Sequence, residues 1–512
     1  MEILFSKNST DKRSNKCYIL LIQSMTVKNI PHEERALALQ GGGSLGAYEV
    51  GAFGAIYKFI KYRDVERKQK DRQIFDIIAG TSIGAINAAI LVSYVVENKT
   101  WEGSTERLID FWNYVSTESL IDKFAEPMKQ WWDYWGQFFQ GTATGESARR
   151  YYSGKYFTMF GAPNVYSPPH TQSDTKFFDL FNRWYRYDNQ YLKESLEKFA
   201  KFPIATSYDE NQPRLILTAV DVMYGKPVVF DSYVKEDGIR KTESGKYIMN
   251  KDIDNSDDED DSTGIGFEHI IHYPQGITSD HVLASTAVPV NYDYVPLEVK
   301  SYNFKTKNYD QKTRYFWDGG LLANTPLVEL ITQHREFWYK VKGLKESVPK
   351  LSILLIELHP SSIDNIPVDF DGVVNRDNDI TFSDRSERDQ KAILAFSDVV
   401  ELNKKLIDIA KSHGVKQSVI DDLLDTFPDN HGKLYNIKPT KYRNMIEGQF
   451  NISEVIRIER KHCENDTSKK TFDFSTSTIK QLLQNGYDDV VEYLETRLGH
   501  DYLKNANIQQ KK

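Results

Sequence analysis

The stretch LALQGGGSLGAYEVG, from Leu37 to Gly51, joins a short apolar run to a segment of helical periodicity through three consecutive glycines. The apolar run predicts a buried strand, and the spacing of apolar residues after the glycines predicts a helix. A glycine-rich turn that opens a helix leaves backbone N–H groups free to bind an anion. The sequence therefore predicts an anion-binding turn, and other segments must identify the anion.

The same pattern occurs a second time. QIFDIIAG (Gln73–Gly80) is a second apolar strand, and TSIGAINAAILVSYVV (Thr81–Val96) is a helix rich in small residues. Two successive strand–turn–helix units predict an α/β fold with a parallel sheet. The charged stretch between them, Arg63 to Arg72, is typical of a surface connection and carries the acids Asp64 and Glu66.

Further strands are predicted downstream. Residues 213–232 indicate two strands joined by a turn at Tyr224–Pro227, and Leu351–Leu358 indicates one more buried strand. The chain from about Asp364 onward is charged and mostly helical in its periodicity. This pattern divides the chain into an N-terminal extension (1–34), a central domain (35–328), and a last core strand or strands with a mostly helical region (329–512).

Composition excludes several classes of protein. The 512 residues are 40% hydrophobic and 27% charged, which is ordinary for a globular protein. A net charge of −8 argues against a nucleic-acid partner. The two cysteines, Cys17 and Cys463, form neither a disulfide framework nor a zinc motif and favour a reducing compartment. The apolar run Cys17–Ile22 is too short for a signal peptide or a membrane span, so we expect a cytoplasmic protein whose membrane contact, if any, is peripheral.

The pentapeptide GTSIG fits the G-x-S-x-G pattern of a nucleophile elbow. Gly80 and Gly84 enclose Thr81, Ser82 and Ile83 between the second strand and its helix. A sharp strand-to-helix turn requires glycine at the flanking positions and lifts the central serine to the start of the helix. Ser82 is therefore a candidate nucleophile; the alternative is a serine that caps the helix N-terminus.

The glycine turn has three possible roles. Gly41, Gly43 and Gly46 match the dinucleotide pattern G-x-G-x-x-G, which requires an acidic residue at the end of the second strand. The candidate nucleophile Ser82 follows that strand instead, which argues against the nucleotide. The second role is an oxyanion hole, in which the N–H groups of Gly42 and Gly43 bind the charge formed when Ser82 attacks a carbonyl. The third is close packing of helix on strand.

A nucleophilic serine needs a base. The sequence WDGG places Asp318 at the end of a strand, directly before Gly319 and Gly320. An aspartate there could take the proton of Ser82 directly and form a dyad, or it could merely shape the turn. The rival is a Ser–Asp–His triad, for which His359 at the end of the Leu351–Leu358 strand is the candidate.

The motifs together resemble a known family. GGGSLG, GTSIG and DGG, in that order, are similar to the oxyanion loop, nucleophile elbow and dyad-aspartate motif of patatin-like phospholipases. The resemblance spans Arg35 to Leu327 and is carried by further segments: Leu37–Gly51, Leu217–Phe230, Ala284–Val290 and Trp317–Leu327. Phe370–Arg388 is similar to the tail of some bacterial-type members.

This resemblance implies a three-layer patatin-like α/β fold with a mainly parallel central sheet, an aromatic-rich insertion and a mostly helical C-terminal extension. It implies a serine lipid acyl hydrolase with Ser82 as nucleophile, Asp318 as general base, and an oxyanion loop from Gly41 to Gly46 that includes Ser44. No metal or cofactor is implied. One departure concerns Leu45, because many members carry Arg or Lys at this position. The missing positive charge weakens the case for a substrate with an anionic head group.

Two other segments have alternative interpretations, and a third has one. The aromatic segment Trp101–Phe160 is either a lid or acyl-chain groove, or ordinary helical packing. The acidic run Asp252–Asp261 is interpreted as a solvated loop rather than a calcium site, because it lacks the glycine and glutamate of the EF-hand loop. The acids between Phe370 and Arg388 are interpreted as solvated surface.

The sequence thus predicts hydrolysis of fatty-acyl esters of a phospholipid, a lysophospholipid or a neutral glycerolipid. The expected partner is the lipid substrate, with contact to a membrane or micelle surface; the oligomeric state stays open. The alternatives are a catalytically silent lipid-binding protein of the same fold and a dinucleotide-binding oxidoreductase.

Overall fold

The computed structural model describes residues 30–69, 72–118, 145–167, 185–244, 267–303, 306, 308–345, 348–383, 386–427, 441–449, 451–506 and 508. The strands are β1 (Glu33–Leu39), β2 (Ile77–Gly80), β3 (Arg214–Asp221), β4 (Lys226–Asp231), β5 (Lys241–Ser244), β6 (Phe267–His272), β7 (Val295–Asn303), β8 (Asn308–Asp318), β9 (Lys350–Glu357) and β10 (Asn451–Glu459). The predicted loop Asp252–Asp261 lies outside the described residues, as do residues 1–29 of the predicted extension.

The helices are α1 (Gly46–Glu66), α2 (Ile83–Asn98), α3 (Ser104–Val115), α4 (Gly145–Phe160), α5 (Gln190–Phe199), α6 (Ser279–Thr286), α7 (Leu327–Glu336), α8 (Phe370–Phe382), α9 (Ser386–Ser412), α10 (Gln417–Leu424), α11 (Tyr442–Ile446), α12 (Thr476–Leu498) and α13 (His500–Asn505). Short 3-10 turns lie at Gly43–Leu45, Gly319–Leu321 and Lys470–Phe472.

The described strands form one sheet in the order β10-β9-β1-β2-β3-β8-β7-β6-β5, with β4 also paired to β3. The strands from β10 to β3 are all parallel, and those from β8 onward continue the sheet in antiparallel pairs. The predicted turn at residues 224–227 joins β3 to β4 as an antiparallel pair. The α/β class with a mainly parallel central sheet is confirmed.

Helices cover the central sheet on both faces because both faces of its strands are apolar. In β1, Leu37 and Leu39 pack into a core with α1, α2 and α12. Ala36 and Ala38 point the other way and pack with α7. Successive side chains of a strand alternate between faces, so a run that is apolar throughout has to be buried on both sides. The result is a three-layer arrangement.

Helix α1 is longer than the sequence predicts, and the interpretation of residues 63–72 as a surface connection is wrong at its start. Asp64 is in the last turn of α1, where it is buried and accepts two hydrogen bonds of 2.6 Å from the guanidinium of Arg35 in β1. A buried arginine requires a carboxylate partner, and the paired geometry of the two groups supplies it.

The C-terminal region contributes more to the sheet than its helical pattern indicates. Strand β10 pairs in parallel with β9 and is half-exposed. Its exposed positions carry polar and charged side chains, so its sequence lacks the continuous apolar run that predicts a buried strand. Helix α12 crosses α1 so closely that a Cβ on Gly51 would lie 1.9 Å from the carbonyl oxygen of Leu483. A Cβ on Gly486 would lie 2.0 Å from the carbonyl oxygen of Tyr48. Both positions therefore require glycine.

In the part of the aromatic segment that the structure describes, several rings are packed in the core, whereas Tyr152 and Phe160 are exposed. Trp101, Trp112 and Phe157 are buried in the same core as α1 and α2. Residues 119–144 of that segment lie outside the described residues. Within the described ranges, no helix has both the length and the apolar composition that crossing a bilayer requires.

Candidate active site

Ser82 is in a tight turn between β2 and α2. Its backbone has φ 55° and ψ −122°, a combination that costs a non-glycine residue about 1–3 kcal/mol. A Cβ on Gly80 would lie 2.2 Å from the carbonyl oxygen of Gly84, and one on Gly84 would lie 2.4 Å from that of Leu39. The glycines are therefore obligatory, and they hold Ser82 in a strained conformation that is typical of a nucleophile elbow.

The Ser82 hydroxyl donates a hydrogen bond to Asp318 at the end of β8, with 2.5 Å between Oγ and Oδ2. Strand β3 brings the two together, because Leu217 lies opposite Gly80 and Ala219 lies opposite Asp318. Among the described residues, the Ser82 side chain caps no N–H group of α2. The hydroxyl is therefore directed at the carboxylate rather than at the helix.

Asp318 is buried and has two hydrogen-bond donors. Its Oδ1 accepts from the N–H of Gly320 at 2.7 Å, while its Oδ2 accepts from Ser82. Burial raises the pKa of this carboxyl to about 7, although both hydrogen bonds act in the opposite direction. A carboxylate with a pKa near neutrality is a better proton acceptor than an ordinary aspartate, and about half of it is ionised at pH 7. Asp318 thus shapes the turn and also contacts the serine.

The turn around the dyad motif is held by hydroxyl groups. Thr81 and Thr218 share a hydrogen bond of 2.6 Å between their Oγ1 atoms. A Cβ on Gly319 would lie 2.4 Å from Oγ1 of Thr218, so glycine is required after the aspartate. The nucleophile elbow and the turn after Asp318 are therefore closely packed, and no side chain fits at position 319.

The glycine turn lies against Ser82. A Cβ on Gly41 would lie 3.0 Å from Cβ of Ser82, and Gly43 has φ +59°. Among the residues that the structure describes, no oxygen accepts the N–H groups of Gly42 and Gly43. Two free N–H groups beside a serine hydroxyl are suited to bind an oxyanion formed on its substrate.

The other residues of the predicted oxyanion loop have supporting contacts. The Ser44 hydroxyl is buried and donates to the carbonyl of Lys470 at 2.6 Å. A Cβ on Gly46 would lie 2.4 Å from Cγ1 of Ile83, so the start of α1 packs directly on the elbow. Leu45 is buried and contributes to the core rather than to a polar surface.

Two amide side chains that sequence reasoning missed hold this turn in place. Asn324 donates from Nδ2 to the carbonyls of Gly41 (3.2 Å) and Phe382 (2.7 Å). Gln40 accepts the N–H groups of Leu358 and His359 on its Oε1, at 2.6 and 3.1 Å. Gln40, a polar residue between an apolar strand and three glycines, was the available signal.

A cavity of about 410 Å³ opens at Ser82 and Asp318. Its walls are largely aromatic and apolar: Phe111, Trp112, Tyr166, Tyr292, Phe472 and Phe474. A larger cavity of about 930 Å³ is lined by both charged and apolar side chains and contains neither Ser82 nor Asp318. Of these two cavities, the smaller one joins apolar walls to the candidate nucleophile, and this combination suits an acyl chain.

His359 also faces this cavity, but its partner is not the dyad aspartate. Its Nδ1 lies 3.0 Å from Oδ1 of Asp379 in α8. Burial lowers the pKa of this imidazole, and the hydrogen bond to Asp379 only partly opposes that effect. The structure thus joins His359 to Asp379, and Ser82 to Asp318.

Asp379 corrects the interpretation of the acids between Phe370 and Arg388 as solvated surface. Its side chain is 2% exposed and accepts from His359 and from the Lys470 ammonium at 2.5 Å. The physical reason is that a loop nearly a hundred residues further on delivers the lysine, so the local sequence shows no partner.

The residues that a dinucleotide would need are used otherwise. The end of β2 leads into Ser82, and Asp64 pairs with Arg35. In the described ranges, no three His, Cys, Asp or Glu side chains are grouped to bind a metal ion.

The comparison with known protein families gives one match. The sequence pattern of the family described as patatin-like phospholipase matches residues 37–331, which is more than half of the chain. This chain belongs to that family. No curated protein shows a significant match to this patatin-like chain. The crystal structure of VipD from Legionella pneumophila matches it with 14% sequence identity and a TM-score of 0.28, covering 91% of this chain and 67% of that one. Membership supports a lipid acyl hydrolase in general terms, with a lipid as substrate.

Proposed function

We propose that this patatin-like chain cleaves fatty-acyl esters, with Ser82 as the nucleophile and Asp318 as the general base. The observation that carries the proposal is the 2.5 Å contact between the two side chains inside an apolar cavity. The strained backbone of Ser82 and the raised pKa of Asp318 support it, because both features are typical of reactive groups.

In the first step, Asp318 accepts the proton of Ser82 while Oγ attacks the ester carbonyl. The carbonyl oxygen becomes negative, and the N–H groups of Gly42 and Gly43 stabilise it. The tetrahedral intermediate collapses, its C–O bond breaks, and the leaving alcohol takes the proton from Asp318. The acyl group is now bonded to Ser82.

In the second step, water replaces the alcohol. Asp318 accepts a proton from the water, whose oxygen attacks the acyl carbonyl, and the same N–H groups stabilise the new oxyanion. The bond to Ser82 breaks, Oγ recovers the proton from Asp318, and a fatty acid leaves. Each group of the dyad ends the cycle in its starting state.

The residues that line the cavity indicate the class of substrate. Phe111, Trp112 and Phe474 offer an apolar surface for the acyl chain. The buried Leu45 adds no charge to bind a head group, so phospholipid, lysophospholipid and neutral glycerolipid esters are all candidates. Because such lipids occur in aggregates, we expect peripheral contact with a membrane or micelle surface.

The test is incubation with a mixed lipid extract, followed by mass spectrometry of the products, with the Ser82→Ala variant as the blank. Wild-type protein should release free fatty acids that the blank does not. A fluorophosphonate probe should label Ser82 in the wild-type protein. Lipid binding without products or labelling would instead support a catalytically silent protein.

The pH dependence of the reaction should report Asp318. Only the ionised carboxylate can accept the proton, so kcat/KM should rise about tenfold per pH unit below the pKa of about 7 and level off above it. The measurement is hydrolysis of a soluble short-chain ester across this range. A profile that falls with rising pH would contradict the assignment of Asp318 as base.

A separate prediction concerns His359. In the His359→Asn variant, the amide can still donate to Asp379, but no imidazole remains to act as a base. We expect kcat to stay within about threefold of wild type, because the proposed proton transfer does not use this residue. A loss of about 1,000-fold in a folded variant would support the triad instead.

A further inference from the structure

Four buried charged side chains from beyond residue 331, where the family match ends, lie beside the glycine turn, and a fifth, Arg150, contacts one of them. We call Asp379, Arg460, Asp466 and Lys470 the buried ion cluster. Their side chains are 2%, 0%, 0% and 5% exposed. Neither the proposed acyl transfer nor the family motifs account for them.

Each member has an oppositely charged partner. The Lys470 ammonium lies 2.5 Å from Oδ1 of Asp379 and 3.2 Å from Oδ2 of Asp466. The Arg460 guanidinium contacts both oxygens of Asp466, with 3.1 Å from Nη1 to Oδ1. Arg460 also donates from Nε to the carbonyl of Leu358 at 2.8 Å. These ion pairs therefore lie in a site where the side chains are almost entirely buried.

The backbone that carries Lys470 contacts the glycine turn directly. The carbonyl of Lys470 accepts the hydroxyl of Ser44, and a Cβ on Gly43 would lie 2.4 Å from the carbonyl oxygen of Thr471. The carbonyl of Thr471 thus lies against the proposed oxyanion donor Gly43, and the carbonyl of Lys470 binds Ser44, the next residue. The position of the short 3-10 turn at Lys470–Phe472 thus limits where the glycine turn can lie.

A glycine-rich turn has little conformational preference of its own, so its N–H groups stay aligned only if neighbours fix them. Buried charges are suited to this purpose, because a lysine held between two carboxylates has only one position in which both are satisfied. A displacement of about 1 Å in a catalytic group can cost about 100-fold in rate.

We propose that the buried ion cluster positions the oxyanion turn: Lys470, anchored by Asp379 and Asp466, holds its own carbonyl and that of Thr471 against Ser44 and Gly43. This inference rests on the proposed function. Lys470 is a positioning residue, since its ammonium binds Asp379 and Asp466 and its effect on the oxyanion passes through the backbone of the turn.

A positioning role and a purely structural role affect different quantities. The oxyanion exists only during the reaction, so a misaligned turn lowers kcat and leaves KM nearly unchanged. Lost stability alone lowers the melting temperature but leaves kcat of the folded fraction unchanged. The kcat-against-KM split therefore separates the two roles.

The test compares Lys470→Met with Lys461→Met. Lys461 lies in the same segment, but its ion pair with Glu492 (2.8 Å) is at the surface. We expect Lys470→Met to lower kcat about 100-fold with KM within about threefold of wild type, and Lys461→Met to change neither by more than about twofold. Kinetics are measured on the full chain with a soluble ester, and folding is checked by circular dichroism.

Ser44→Ala provides a second variant that leaves every charge in place. It should lower kcat about tenfold at constant KM, and the double variant with Lys470→Met should lose less than the product of the two single effects. Ser44→Ala also carries the test if Lys470→Met fails to fold. Multiplicative effects, or a normal kcat in the folded single variants, would overturn the inference.

Two controls separate this inference from the proposed function. If folded wild-type protein hydrolyses no ester and is not labelled at Ser82, the proposed function fails, and the inference fails with it. If wild-type protein is active and Ser82→Ala is not, while Lys470→Met and Ser44→Ala match wild type, only the inference fails.

Discussion

Replacement of Ser82 by alanine is expected to lower kcat for ester hydrolysis by about 10⁴- to 10⁶-fold, the range that loss of a catalytic serine produces. The variant retains the N–H groups of Gly42 and Gly43 and the apolar cavity, so it should still bind substrate. The fold should persist, because the substitution removes one oxygen atom and no core contact. We therefore expect a normal circular dichroism spectrum and no release of fatty acid.

The matched control is Ser412→Ala, which removes an exposed hydroxyl at the end of α9. Its kcat should equal that of wild type, and its Ser82 should still react with a fluorophosphonate. If Ser82→Ala kept a tenth of the wild-type rate, the nucleophile would have to be another group, and the acyl-enzyme mechanism would fall with it.

Replacement of Asp318 by asparagine should abolish activity and, at the same time, stabilise the protein. The amide oxygen can accept from the N–H of Gly320, but the side chain can no longer take the proton of Ser82. Loss of a general base typically costs about 10²- to 10⁴-fold in kcat, and we expect the upper end because the proposed mechanism uses no second base.

The stabilisation depends on pH because burial raises the pKa of Asp318 to about 7 in the folded state. The unfolded chain has an ordinary aspartate pKa of about 3.9, so between these values the folded state binds the proton more tightly. Stability therefore falls as pH rises through this window, by about 4 kcal/mol in all. Asn carries no charge, so Asp318→Asn removes this loss.

Thermal unfolding of both proteins at about pH 5 and about pH 8 measures the effect. The gain in melting temperature should be larger at the higher pH, where wild-type Asp318 is ionised. Asp398→Asn, at an exposed position of α9, is the control and should show the same melting temperature as wild type at both values. A variant less stable than wild type at the higher pH would contradict the raised pKa.

The sequence was sufficient to predict those parts of the fold that depend on residues adjacent in the chain. The turns after β1 and β2 require glycine at fixed positions, and their flanking apolar runs are buried on both faces, so both units could be predicted. Asp64 and Asp379 could not be predicted as buried, because their partners Arg35 and Lys470 are distant in the chain. A buried and an exposed acid look identical in a sequence.

In the candidate site too, some residues could be predicted from the sequence and others could not. Ser82 and Asp318, which the motifs selected, lie in hydrogen-bond contact although 236 residues separate them. Their catalytic roles remain predictions. Most supports of the glycine turn could not be found, because one partner in each contact is a backbone carbonyl, which every residue type has: Asn324 donates to the carbonyl of Gly41, and Lys470 accepts from Ser44 through its own carbonyl. Backbone contacts leave no signature in the choice of amino acid.

The place of β9 in the sheet has a consequence for how this chain can be divided. The recognisable family segment ends at residue 331, yet β1 is paired on one side with β9, which begins at Lys350. A protein cut at the end of the family match would leave β1 as a bare edge strand, with an apolar surface and unpaired N–H and C=O groups that invite aggregation. The segment that matches the family is thus shorter than the segment that folds as one sheet. We therefore expect that a protein carrying the catalytic motifs has to be expressed together with the C-terminal third.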